Sequence, residues 1–264
     1  MGELKVPLGY ETGPRKPCLA VILCSVLEDE VNALAFGMGH IRRIWQLPQG
    51  LHNTPDKLRE ALQQAVEVIE TTQPEVEAIA FVYGLCSRGS EGVTAKRCKI
   101  VMARAHDCIT LLVGSKERYA EYVAAHPGTY WYSPGWNKHH TPPGPERYNK
   151  LLKQYEEKFG KDDAEYLMQT EQHWFSTYDR ATFVDLGYGP VENAAVYTKE
   201  CADWLKWKFD RVKGDAGLLR DLLDGNWDDE RFVVLEPGEG FKMTADMGVI
   251  DRVKLTVSAQ PATV

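Results

Sequence analysis

The chain has 264 residues, 44% of them apolar and 26% charged, with a net charge of −7. That length accommodates one large domain or two small ones, and the acidic balance argues against nucleic acid as the main partner, because phosphate binding wants a basic surface. No apolar run approaches the roughly 18–20 residues of a membrane-spanning helix, and Met1 to Pro17 offers no hydrophobic stretch suited to a signal peptide, so a soluble cytoplasmic protein with no membrane contact is expected.

In chain order, Cys18 to Cys24 (CLAVILC) is a short, continuous, β-rich run that fits a strand buried on both faces. Ser25 is placed to cap a following helix, with Glu28, Asp29 and Glu30 in its first turn, where the dipole favours acids. Ile41 to Leu47 reads as a second strand, ended by Pro48. Thr54 and Pro55 then start a long helix whose buried face is Leu58, Leu62, Ala65, Val66 and Ile69. Ala78 to Tyr83 is a third strand, followed by a glycine-rich loop from Gly84 to Gly92. Ile100 to Ala103 is a fourth, and His106-Asp107-Cys108 comes directly after it. The apolar segment Ile109 to Val113 is separated by Gly114-Ser115 from a helix at Lys116 to Ala125. Thr129 to Tyr132 is a fifth strand, ending in Pro134-Gly135-Trp136, with His139-His140 in a proline-rich, solvated loop.

Two polar helices follow, over 146–159 and 162–175, both with mostly solvated faces. The strand–helix rhythm then resumes: strand Thr182 to Leu186, helix Val191 to Leu205, strand Lys208 to Val212, a short helix capped by Asp215, and strand Phe232 to Leu235. Such alternation predicts a parallel sheet with right-handed crossovers. The expected fold is therefore α/β and Rossmann-like, with an N-terminal βα half at 18–140, a helical insertion at 141–180, a C-terminal βα half at 181–240, and a tail at 241–264 that is loose or strapped on the core. The pattern leaves open whether the halves share one sheet.

In an open parallel sheet, sites form outside the carboxyl ends of the strands. Cys24, Cys86 and Cys108 fall at or just after three such ends, so they are expected to meet at one edge. Cys98 and Cys201 read as small buried hydrophobes, and Cys18 only opens the first strand. Three thiolates from separate loops suit a 4Fe-4S cluster with an accessible iron, or a zinc ion with an open fourth position. With no CxxC pair, neither a zinc ribbon nor a thioredoxin motif fits. Cys108 opens a helical segment, where the dipole should favour thiolate. His106 is a fourth ligand, an orienting group or a simple helix cap. Around Cys86, Gly84, Gly89 and Gly92 let backbone approach a ligand closely, and Arg88 could hold a carboxylate or phosphate. Glu28, one turn from Cys24, is a candidate proton-transfer group, and Trp136 and Tyr188 are candidate pocket walls.

The stretches Leu-Cys-Ser-Val-Leu-Glu at 23–28, Tyr-Gly-Leu-Cys at 83–86 and Arg-Ala-His-Asp-Cys-Ile-Thr-Leu-Leu-Val-Gly-Ser at 104–115 resemble domain-of-unknown-function family 1638. So do Tyr-Ser-Pro-Gly-Trp at 132–136 and Arg-Val-Lys-Gly-Asp at 211–215, and the resemblance spans roughly residues 18–240. Ser87 departs from it, since glycine is common there. The resemblance implies proteins of methanogens and anaerobes associated with corrinoid-dependent methyltransferases. It therefore implies anaerobic one-carbon metabolism, with a corrinoid protein or methyltransferase as partner. Three functions stand on these residues: a metal or iron–sulfur protein of that metabolism acting on a small-molecule ligand, a metal-free enzyme with a cysteine nucleophile, and a non-catalytic binding subunit of a methyltransferase complex.

Overall fold

The computed structural model describes residues 15–86, 88–246 and 248–254. The expectations for Ser87 and for the N-terminal stretch before residue 15 lie outside these residues. Ten strands are described, β1 (Leu19–Cys24), β2 (Ile41–Leu47), β3 (Ala78–Val82), β4 (Lys99–Ala103), β5 (Thr129–Tyr132), β6 (Arg180–Asp185), β7 (Lys208–Lys213), β8 (Phe232–Leu235), β9 (Glu239–Met243) and β10 (Ile250–Lys254).

The larger sheet has the order β2-β1-β3-β4-β8. Its first four strands are parallel, while β8 pairs antiparallel with β4, placing Val101 opposite Val234. All six residues of β1 and all five of β3 are buried, which explains their unbroken apolar sequences. β2 lies at the edge and exposes Arg42 and Arg43 accordingly. Helices cover both faces: α1 (Glu28–Ala35), α2 (Pro55–Thr72) and, later in the chain, α9 (Gly217–Asp224), which packs on β3 and β4. α2 turns Leu58, Leu62, Ala65, Val66 and Ile69 inward, each leucine, valine or isoleucine contributing about 1.5–3 kcal/mol by leaving water.

The chain runs from β1 outward to β2 and then crosses back to β3, so the direction of winding reverses between β1 and β3. A crevice opens at such a reversal, outside the carboxyl ends of the strands. α3 (Cys108–Val113) and α5 (Pro134–His139) contribute to its wall, and α4 (Lys116–Ala125) packs on α3. α5 is positioned by Gly135, whose backbone lies against the Val26 carbonyl so closely that any β-carbon would collide with it. Trp136 is thereby held beside the turn that follows β1.

The second sheet is separate, three-stranded and parallel, in the order β5-β6-β7. α6 (Pro145–Phe159) and α7 (Lys161–Trp174) pair with each other in the stretch read as an insertion, and α8 (Val191–Leu205) packs on β6 and β7. The strands thus form two sheets that do not follow the expected halves: β5, from residues 18–140, joins the second sheet, and β8, from residues 181–240, returns to the first.

Two local expectations are corrected and one is narrowed. Ser25 does not cap a helix: it opens a 3-10 turn at 25–27, and its hydroxyl accepts the Gln49 N–H at 3.0 Å. Of the tail, expected to be loose or strapped on the core, residues 255–264 lie outside the described ones, and β9 and β10 form an antiparallel hairpin packed on the core. Phe241 anchors it against Phe81, with ring centres 6.0 Å apart, and Arg104 donates to the carbonyls of Gly248 and Ile250. His140 is not a solvated loop residue but the end of α5, half-buried against the Trp136 ring at 4.6 Å.

Candidate metal centre

Cys24 ends β1, and the register that sets Leu23 opposite Val82 makes Cys24 and Tyr83 the next pair along. Beyond β3 and β4 the two following loops stay in step: Leu85 N–H donates to the Ala105 carbonyl at 2.9 Å and Cys86 N–H to that of His106 at 3.1 Å. Gly84 makes this possible, because a β-carbon there would stand 2.6 Å from the Asp107 nitrogen. Cys86 and Arg88 both hold left-handed backbone, with φ of 45° and 71°, a conformation that costs a non-glycine residue energy and is concentrated at functional sites. Cys108 is the first residue of α3, and the Asp107 carboxylate caps that helix by accepting from the N–H groups of Ile109 (3.0 Å) and Thr110 (3.2 Å).

These loops bring Cys24, Cys86 and Cys108 into the wall of one cavity of about 390 Å³. Among the described residues no three His, Cys, Asp or Glu side chains converge closely enough to hold a single metal ion. Tyr83 lines the same cavity as the three cysteines, and its ionisation is suppressed first by burial and then by the neighbouring Cys24, Cys86 and Cys108. The Tyr83 hydroxyl is buried with no hydrogen bond of normal geometry, although it lies near enough to Cys24 to favour the thiolate there. The opposite wall is aromatic, built from Tyr130, Trp131, Trp136 and Tyr178, with His52 stacked on Trp136 at 5.7 Å.

Burial dominates the thiols. It pushes Cys24 up, with the Val26 amide and Tyr83 offsetting part of the effect, and lifts Cys86 to about 12. Cys108 rises well above the usual thiol range through burial and the neighbouring charges of Cys24, Asp107 and Cys86. The thiolate expected from the helix dipole is therefore overridden. α3 has only six residues, and the field of so short a helix is weaker than the loss of hydration.

Of the other expected site residues, His106 and Trp136 line the cavity, and Gly84 sets the spacing of its two loops. Glu28, Arg88 and Tyr188 do not line it. Burial would raise the Glu28 carboxyl, but hydrogen bonds from Lys138 and His139 of α5 and from Gln46 of β2 bring it down to about 2. Arg88 pairs with Glu91 at 2.7 Å and faces a different depression beside the hairpin. Tyr188 packs on the margin of the main core. Sequence reasoning missed Tyr83, Gln49, His52 and the residues of the aromatic wall other than Trp136. Tyr83 alone carried a signal, as the residue level with Cys24 in neighbouring strands.

Cys98 and Cys201 sit elsewhere. The Cys98 thiol donates to the Val76 carbonyl at 3.2 Å below the opposite end of β4, and Cys201 is buried in α8 against Tyr132 and Gly144. Changing either to alanine is expected to leave metal content unchanged, measured on protein purified and reconstituted without oxygen. A folded variant with altered metal content would contradict this placement.

The family model described as a protein of unknown function (DUF1638) matches residues 46–223. No curated protein and no solved structure matches the chain.

Proposed function

The chain belongs to the DUF1638 family of proteins of unknown function, and from its own site we propose a metal-binding protein in which Cys24, Cys86 and Cys108 hold an iron–sulfur cluster of the 4Fe-4S type. The observation that carries this reading is the delivery of three thiols, from three separate strand ends, to one cavity at the winding reversal. The donor set is soft and suits iron–sulfur chemistry. A lone zinc ion fits less well, because it needs its ligands gathered at about 2.3 Å from one point and no such triad is described. A cluster is several ångströms across and takes sulfurs that stand further apart.

When bound, such a cluster supplies an iron with an open position, able to bind a small ligand or to pass one electron. The chain's own residues shape what reaches it. Trp131, Trp136, Tyr130 and Tyr178 keep water from the space facing the sulfurs, and His52 and Gln49 offer hydrogen-bonding groups to a ligand held there. Tyr83 lies near enough to donate to the Cys24 sulfur, which favours its deprotonated form. A place in anaerobic corrinoid-linked methyl metabolism, as an enzyme or accessory factor, follows from the family resemblance, with a corrinoid protein or methyltransferase as the partner.

A metal-free cysteine nucleophile is less well supported, because all three thiols are raised and would be protonated at neutral pH. The test is protein purified and reconstituted without oxygen. About four irons per chain and a broad brown absorbance are expected. Colourless protein with a fast-alkylating thiol would favour the nucleophile. Colourless protein with slow thiols would favour a non-catalytic subunit.

A further inference from the structure

A second cavity, of about 320 Å³, adjoins the cysteine cavity, and His52, Tyr130 and Trp136 line both. Its far wall carries Arg147, from α6. Among the described residues Arg147 is the one lysine or arginine lining either space. One guanidinium nitrogen, Nη2, reaches Glu171 of α7 at 3.2 Å, a bond of ordinary length. The Nε–H is buried and has no hydrogen-bond partner. The guanidinium also lies over the Phe175 ring at 5.8 Å, which fixes its plane. A second donor at the junction of the cavities, the Trp136 indole N–H, is buried beside the Tyr130 hydroxyl without a hydrogen bond of normal geometry.

Buried donors that the protein leaves unsatisfied are costly, and they point to a group that arrives with the ligand. We propose that Arg147 binds the carboxylate of a small organic acid whose other end enters the cysteine cavity. This assignment rests on the reading of that cavity as the reactive centre. A carboxylate fits better than a phosphate for a reason of charge: Glu171 already offsets the guanidinium, so a monoanion brings less uncompensated charge than a dianion. The neighbouring histidines add no positive charge, since burial first, and then the Arg147 charge, brings His140 down to about 4, while burial lowers His52 as well. The rest of the second cavity, including Tyr130, Pro143 and Phe175, is suited to a flat or apolar body.

The test is calorimetric titration of the reconstituted full chain with benzoate and with benzamide, its neutral isostere. Wild-type protein should bind benzoate at least about tenfold more tightly, as a charge-assisted bond predicts. Arg147→Gln should abolish that preference without changing the thermal midpoint or iron content. Glu171→Gln, which frees the guanidinium, should tighten benzoate binding and keeps the proposal testable if the first variant folds poorly. Equal binding of the two probes by wild-type protein, a preference retained in Arg147→Gln, or an unchanged benzoate affinity in Glu171→Gln overturns it. Iron content separates the two readings. Iron-free wild-type protein that still prefers benzoate removes the cluster and upholds the carboxylate site, whereas iron-replete protein without the preference removes the site alone.

Discussion

On the proposed iron–sulfur reading, replacing Cys108 with alanine is expected to abolish iron binding while leaving the fold standing. The sulfur is one of three from the chain, and a cluster held by two is no longer retained through purification. The fold survives because little else depends on that side chain. The Asp107 carboxylate that starts α3 bonds to the N–H groups of Ile109 and Thr110 and not to Cys108. Losing the thiol removes little apolar area, a direct cost of about 1 kcal/mol, or roughly 2–4 °C in the midpoint of the metal-free protein. The metal-loaded wild type should lie further above the variant, because binding is coupled to folding. His106→Ala provides the contrast. From its exposed position on the cavity wall it is expected to weaken metal retention by about 10–100-fold, the range for a residue acting through a neighbour. Iron and sulfide analysis beside thermal scans decides the matter, and a Cys108→Ala protein that keeps its iron ends the three-cysteine reading.

Gly84→Ala should do comparable damage without touching a ligand. The added β-carbon would stand 2.6 Å from the Asp107 nitrogen, 2.7 Å from its α-carbon and 2.9 Å from the Ala105 carbonyl oxygen. All three are backbone atoms, so no rotamer change relieves the overlap. The strain separates the loop carrying Cys86 from the loop carrying Cys108, breaking the bonds that keep them in step. Overpacking of this kind costs about 1–3 kcal/mol, and iron content should fall with the midpoint. A Gly84→Ala protein with wild-type stability and iron would show that the loops have slack that their packing denies.

The continuous runs of β1 and β3 were legible because burial on two faces leaves a direct mark on side-chain choice. The helix of residues 55–72 was legible too, through its apolar stripe. The α/β class and the level of the three cysteines followed from that. The antiparallel return of β8 was not legible, since four apolar residues carry no mark of their direction or neighbour. Nor was the hairpin, whose buried residues Phe241, Val249 and Ile250 are interspersed with polar ones. The aromatic wall comes from distant segments, including β5 and the turn before β6, whose convergence depends on a second sheet that composition does not announce. The thiolate expected at Cys108 failed for another reason: a helix start can be read from sequence, but the crowding around a sulfur cannot.

The antiparallel pairing of β8 with β4 also bears on the order in which the molecule can assemble. During synthesis the four parallel strands and all three cysteines emerge long before Phe232–Leu235. Until then the free edge of β4, with Ile100, Val101 and Met102 beside it, is open to pairing with another chain. Contacts so distant in sequence form slowly, because loop closure precedes any reward from the pairing. A ribosome-bound fragment ending before β8 would thus present its cysteines on an unfinished sheet, at the stage when it is most prone to aggregate.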